Sequence, residues 1–193
     1  MIRRLYNWIM RLAAGPNAER ALFAVAFAEA SFFPIPPDVM LIPMCLAERR
    51  KALRFAAVCT VGSVLGGMLG YAIGYYLVES LGRWLLHLYG QEAALEVFRQ
   101  QFAEIGLWFI LIKGLTPIPY KVVTIAAGAA QFSLALFIGA SILTRGLRFF
   151  AVAALLWKFG EPIREFVEKR LTLIATISVI VIVGGFVAVR YLF

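Results

Sequence analysis

Lys113-Gly-Leu-Thr-Pro-Ile-Pro-Tyr-Lys121, with an earlier echo in Phe33-Pro-Ile-Pro-Pro-Asp38, decides how this chain is read. Laying Pro117 and Pro119 over Pro34 and Pro36 puts Lys121 on Asp38, an exchange of sign at equivalent places. Each motif interrupts an apolar run too long for an ordinary core helix. Proline has no N–H and disfavours helix in the residue before it, so the runs must break at Pro34, Pro36 and Pro37, and again at Pro117 and Pro119. At membrane depth a broken backbone is tolerated only where protein or a wet cavity satisfies it. Two matched breaks in two halves point to a transport site built from inverted repeats.

The chain has 193 residues, of which 62% are hydrophobic. Soluble domains run at roughly 45–50%, so the composition is that of an integral membrane protein forming one domain, residues 1–193. A formal charge of +8 could suggest nucleic acid. The basic residues instead flank apolar segments, where they serve topology and attract anionic lipid headgroups. Membrane lipids are therefore the expected partners, with no nucleic acid, and a homo-oligomer is left open. Cys45 and Cys59 both fall in apolar runs and read as small buried thiols rather than a disulfide or a metal site. The N-terminus lacks the short apolar core and cleavage site of a signal peptide. No cofactor is expected.

Upstream of the first break, residues 1–16 put Arg3, Arg4, Asn7 and Arg11 on one stripe, which predicts an amphipathic helix lying in the interface. Residues 20–48 hold two short apolar helices on either side of Pro34-Ile-Pro-Pro37. Each is shorter than the ~20 residues a bilayer core requires. The basic N-terminus and the basic loop 48–54 would lie on opposite sides if the pair crossed the membrane, so the pair is read as a re-entrant hairpin. Residues 55–78 carry no charge and predict a transmembrane helix, with Gly62, Gly66, Gly70 and Gly74 repeating every four residues and Ser63 alongside. Such a stripe lets another helix approach closely, or it could line a lipid path. Residues 79–104 form an amphipathic connector holding the sole histidine, His87, read as an interfacial spectator. Residues 105–131 make the second re-entrant hairpin, entering from the other side. Residues 134–157 are the next span, and residues 171–190 a last transmembrane helix.

Six ionisable residues fall at predicted membrane depth: Glu29, Asp38, Lys113, Lys121, Arg145 and Arg148. Left at a helix centre each would cost roughly 2.5–3.5 kcal/mol, so they are expected to pair or to line a cavity. Asp38 with Lys121 is one such candidate pair. Two acids against four bases leave two cations over, and an anionic ligand is their natural complement. Helices starting after the breaks would also turn their N-termini inward, where phosphate or carboxylate binds. Ser141, Thr144, Arg145 and Arg148 share one helix face, which must look at protein or water. Glu29 and Asp38 could instead carry protons, or all six could be structural glue. One histidine offers no metal pair and no Ser–His dyad at depth, so an enzyme is not expected.

At these residues the chain resembles the DedA (SNARE-associated, VTT-domain) membrane proteins, most closely their small YqaA-like bacterial branch, over about residues 20–160. The resemblance implies movement of phospholipid or undecaprenyl phosphate between leaflets, with a link to the proton-motive force. The family's two acids in the first hairpin look like Glu29 and Asp38. Its Arg-x-x-Pro-x-x-Arg pattern has its nearest match in Lys113, Pro117 and Lys121, one residue longer on each side and with lysines for arginines. The expectation is an all-α, polytopic protein of the bacterial inner membrane with two opposed re-entrant hairpins, a lipid flippase or scramblase. Lys113, Lys121, Arg145 and Arg148 would hold the headgroup. A proton-coupled exporter of small solutes or cations, and an assembly protein without transport, are the alternatives.

Overall fold

The computed structural model describes residues 15, 17–32, 36–88, 92–115 and 120–169. The interfacial helix expected over 1–16 lies outside these residues except for Gly15, as do the helix expected over 171–190 and Pro34, Pro117 and Pro119. Seven α-helices are formed among the described residues: α1 (Ala18–Ser31), α2 (Asp38–Ala47), α3 (Ala52–Leu77), α4 (Arg83–Leu88), α5 (Glu92–Leu115), α6 (Tyr120–Ala129) and α7 (Leu134–Lys169). A 3-10 turn, Arg49–Lys51, leads into α3, and a π-helical turn, Val78–Gly82, leads out of it. No strand occurs among the described residues.

Among the described residues, two stretches are long and apolar enough to cross a membrane, Arg49–Ser80 and Leu134–Gly160. The 26 residues of α3 extend about 39 Å at ~1.5 Å per residue, enough for a hydrocarbon core of about 30 Å. The other four longer helices are arms packed around this pair. α1 runs alongside α3 in the same direction, because Glu19 pairs with Arg54 at one end and Ala30 meets Gly70 further along. α2 then returns: Asp38 lies beside Arg148 of α7, and the Cys45 thiol donates to the Ala52 carbonyl at the start of α3. The two arms pack on α3 and α7 more than on each other. Their shared core holds Leu22, Leu41, Cys45, Phe55, Cys59 and Phe149, so both cysteines are buried.

The second arm pair is built from the opposite end of α3. Glu79 there accepts from Arg83, Arg99 and Gln131, and Arg99 also donates to the Ala129 carbonyl. α5 descends from this end beside α7, with Phe102 near Phe132 and Ile110 in the core with Phe137 and Ala140. α6 climbs back, from Tyr120 beside Gly67 to Gly128 beside Tyr71. Each arm pair thus leaves and rejoins its own end of α3, and the helix ends at Ser31 and Tyr120 lie beside Gly66 and Gly67, near its mid-length.

The glycines of α3 explain how α1 and α6 fit against it. A Cβ on Gly66 would lie 2.0 Å from the Phe27 carbonyl oxygen of α1. One on Gly74 would lie 2.1 Å from the Ile125 oxygen of α6. The stripe therefore serves α1 along its first half and α6 along its second. Gly128 answers from α6, where a Cβ would lie 1.9 Å from the Tyr71 oxygen.

Two features differ from the sequence reading. The connector 79–104 and the arm beginning at 105 are not separate, since α5 runs unbroken through that boundary. No proline interrupts it, and the one glycine before its last turn, Gly106, packs against Phe102 and Phe132. The span expected to stop at 157 stays helical to Lys169, with a kink at Phe159 (φ −117°, ψ 21°). Pro162 accounts for that kink, because a proline disturbs the carbonyl four residues before it, here Lys158. Pro43 also sits inside α2, where it cannot donate to Val39.

A charge cluster where the two arm pairs meet

Arg145 stands near the middle of the apolar stretch Leu134–Gly160 of α7, with only 2% of its surface exposed. Its Nη2 donates to Glu29 Oε2 at 2.8 Å and its Nε to Ser63 Oγ at 2.7 Å. The guanidinium lies between two rings, 4.6 Å from the centroid of Tyr120 and 4.7 Å from that of Phe149. Four helices therefore converge on one cation. Arginine suits the place, since its planar fork spreads the charge and its faces stack on aromatic rings.

One helical turn along, Arg148 Nη2 donates to Asp38 Oδ2 at 2.8 Å. Asp38 is the first residue of α2, where the unpaired N–H groups of the helix start also favour its charge. This pair is less enclosed than the first, with the Arg148 side chain 35% exposed. Asp38 with Lys121, the candidate pair named from the sequence, is not formed. Lys121 occupies the first turn of α6, half-buried, and has no carboxylate partner among the described residues. It lies within electrostatic reach of Glu29, as do Arg145, Arg148 and Asp38. Lys113 falls in the last turn of α5.

The polar stripe of α7 faces the interior: Ser141, Thr144 and Arg145 are buried. Thr144 Oγ1 donates to the Ala140 carbonyl and Ser141 Oγ to that of Phe137, so neither hydroxyl is left without an acceptor. Tyr120 donates to Ser141 Oγ, tying the start of α6 to α7. Thr124 Oγ1 reaches the Ala30 carbonyl at 3.2 Å, joining the two arm pairs directly, and Ser31 Oγ donates to the Gly66 carbonyl at 2.8 Å. Sequence reasoning missed Ser63, Tyr120 and Phe149 as the holders of Arg145. A serine beside a glycine stripe and a tyrosine inside the quoted motif were the only signals.

Away from this cluster, a cavity of about 500 Å³ opens between α4 and α5, bordered by Arg83, Trp84, His87, Glu96 and Arg99. No group of three or more His, Cys, Asp or Glu side chains suited to a metal ion occurs among the described residues.

The VTT domain family model matches residues 35–158. The chain belongs to the VTT-domain, or DedA, family. The stretch matched to the VTT domain takes in Asp38, Lys113, Lys121, Arg145 and Arg148, while Glu29 precedes it. Among similar proteins is one of Haemophilus influenzae described as an uncharacterized protein, 35% identical over 164 residues, covering 84% of this chain and 85% of that one. Another, from Histophilus somni, described as an uncharacterized HI0703 homolog, is 36% identical over 168 residues, covering 85% and 87%. No solved structure matches. VTT-domain proteins are membrane proteins, regarded as non-enzymatic and transporter-like, and the two apolar stretches of spanning length accord with that.

Proposed function

We propose that this protein moves a phosphate-bearing lipid between the leaflets of a bacterial inner membrane, the headgroup passing the charge cluster. The observation that carries this reading is the meeting of Glu29, Asp38, Arg145, Arg148 and Lys121 halfway along two helices of membrane-spanning length. Charges at that depth are costly and mark substrate or ion pathways. Each arm pair returns to the end of α3 it started from, so each is read as a re-entrant hairpin, and the two enter from opposite faces. The packing supports an inverted repeat: α1 lies on α3 and α5 on α7, while α2 crosses to α7 and α6 to α3.

The ion pairs refine the assignment of roles. Glu29 occupies Arg145 and Asp38 occupies Arg148, leaving Lys121 for a phosphate, with Lys113 kept beside it as the candidate the sequence names. Arg148 is the third candidate, being partly exposed. A proton on Asp38 removes the counter-charge of Arg148 and frees its guanidinium for the headgroup, which would couple movement to the proton-motive force. Arg145, enclosed on all sides, acts as the joint between the arms. That enclosure is also what favours the second reading, a structural protein in which the pairs are glue.

Reconstitution into liposomes separates the readings. Labelled phospholipid and a labelled polyprenyl phosphate should exchange between leaflets faster than in protein-free vesicles. Flux of small cations without lipid exchange would support a solute exporter, and an unchanged rate for every probe would leave only the structural role.

A further inference from the structure

The ion pairs at the two ends of α3 answer one another with their signs exchanged. At its start, Arg54 Nη2 donates to Glu19 Oε2 of α1 at 2.8 Å. At its far end, Glu79 of the π-helical turn accepts from Arg99, two turns into α5. α3 thus gives a cation to the first arm pair and an anion to the second. The Pro-Ile-Pro motifs carry the same exchange, Asp38 against Lys121. The charge cluster lies between these two ends, with Ser63 near the middle of α3.

The two ties are unequal. Arg54 is 67% exposed, and surface pairs of that kind add little. Arg99 is 12% exposed, and the carboxylate it meets is shared. Glu79 Oε1 also accepts from Gln131 Nε2, and Oε2 lies 3.0 Å from Arg83 Nε. Gln131 belongs to the turn that joins α6 to α7, and its φ of 56° is one that residues other than glycine adopt uncommonly. Its bond to Glu79 helps hold the turn in that conformation. Tyr71 of α3 donates to the Phe132 carbonyl of the same turn at 2.6 Å, and Arg99 Nε reaches the Ala129 carbonyl at 3.5 Å. One carboxylate therefore gathers the end of α3, α5 and the far end of α6. The backbone leaves α form for a π turn at this point, a rare departure found often at functional sites.

We propose that these two ties gate the charge cluster, one on each membrane face, and that Glu79 keeps the outer gate shut. The proposal rests on reading the cluster as a passage between leaflets. α6 carries Lys121 at one end and the Glu79-bound turn at the other, so freeing the turn lets α6 tilt from α3 and bares its buried face, where Ala127 lies. Losing the charge of Glu79 weakens every donor at once: Arg83 and Arg99 are left to repel each other. Parting Arg54 from Glu19 loses one exposed bond and leaves the first arm pair held by its shared core. This conformation is thus shut more firmly toward the outside than toward the cytoplasm, and what shifts the balance must act at Glu79.

An impermeant maleimide added to spheroplasts carrying the full chain, with peptides read by mass spectrometry, tests the gate. Ala127→Cys is the reporter, and the buried Cys45 and Cys59 of the first arm pair's core report general unfolding. Position 127 should react slowly by itself and about tenfold faster with Glu79→Gln, the effect of losing a hydrogen bond to a charged group. Arg54→Gln should leave it slow, and Cys45 and Cys59 should stay silent throughout. If Glu79→Gln fails to accumulate because it strands Arg99, adding Arg99→Gln removes that charge and must still give fast labelling. An unchanged rate at position 127 with Glu79→Gln, a faster one with Arg54→Gln, or equal acceleration at Cys45 and Cys59 would each overturn the gate. Labelling does not require lipid to move. Gating without exchange in liposomes keeps the gate and removes the lipid, and exchange without gating does the reverse.

Discussion

Arg145 and Glu29 are 116 residues apart in sequence and joined by a 2.8 Å charged hydrogen bond. Their side chains are 2% and 13% exposed, so this is an enclosed ion pair linking the first arm to the second long helix. Desolvating such a pair costs about as much as its attraction returns, but breaking it strands a charge. The pair therefore enforces one arrangement of the arms more than it adds stability.

That asymmetry makes a first prediction. Glu29→Ala leaves the Arg145 guanidinium buried without its carboxylate, at a cost of roughly 3–5 kcal/mol. The variant should fail to accumulate in membranes. Glu29→Leu combined with Arg145→Met removes both charges and should restore abundance and melting in detergent. A single variant that accumulates and melts like wild type would show that water or another group takes the place of Glu29.

The glycine contacts make a second. Gly66→Ala drives a methyl group against the Phe27 carbonyl, which cannot move without shifting α1. Overpacking of this kind costs roughly 1–3 kcal/mol. Gly139 on α7 has nothing within 4 Å of its Cβ position, so Gly139→Ala is the neutral control. Melting in detergent should fall for the first substitution and hold for the second. Loss of lipid movement at Gly66 with unchanged melting would place the stripe on the transport path instead.

The helix ends at Ser31 and Leu115 and the helix starts at Asp38 and Tyr120 were legible from the two Pro-Ile-Pro motifs, because proline acts locally and no tertiary contact restores its N–H. The inward face of α7 was legible too: Ser141, Thr144 and Arg145 keep helical spacing and cannot face lipid. Partner choice was not. The overlay placed Lys121 on Asp38, but equivalence in a repeat fixes position along the chain and not which charge faces which across the bundle. Arg148 reaches Asp38 because α2 crosses to α7, a packing choice with no local signal. Neither was the cage around Arg145, because Tyr120 and Phe149 look like ordinary apolar residues until the helices are brought together.

A third prediction concerns sidedness. The start of α1 and the turn after α2 lie at one end of α3, and the start of α5 lies at the other. With the hairpins re-entrant, cysteines at Arg20 and Arg50 should label only from the cytoplasmic side, and one at Ala94 only from outside. The native Cys45 and Cys59 are buried and should stay silent. Opposite labelling of positions 20 and 50 would mean that the first arm pair crosses the membrane.

The last prediction separates the cations by their surroundings. Lys121 has no carboxylate partner among the described residues, so Lys121→Ala strands no counter-charge, and the protein should accumulate and melt as wild type while losing lipid movement. Lys121→Arg should retain movement or improve it, since guanidinium grips phosphate with two parallel bonds. Arg148→Ala should weaken movement and also destabilise modestly, because Asp38 loses its partner but keeps the helix start and some exposure to solvent. Adding Asp38→Asn to Arg148→Ala should recover the melting and not the movement. Arg145→Ala should instead be lost from the membrane altogether, as expected of a joint. Abundance, melting and liposome exchange measured on the same five variants decide among the roles. Wild-type exchange rates in Lys121→Ala would show that the headgroup does not use this cation, and the pairing argument for the site would then fail.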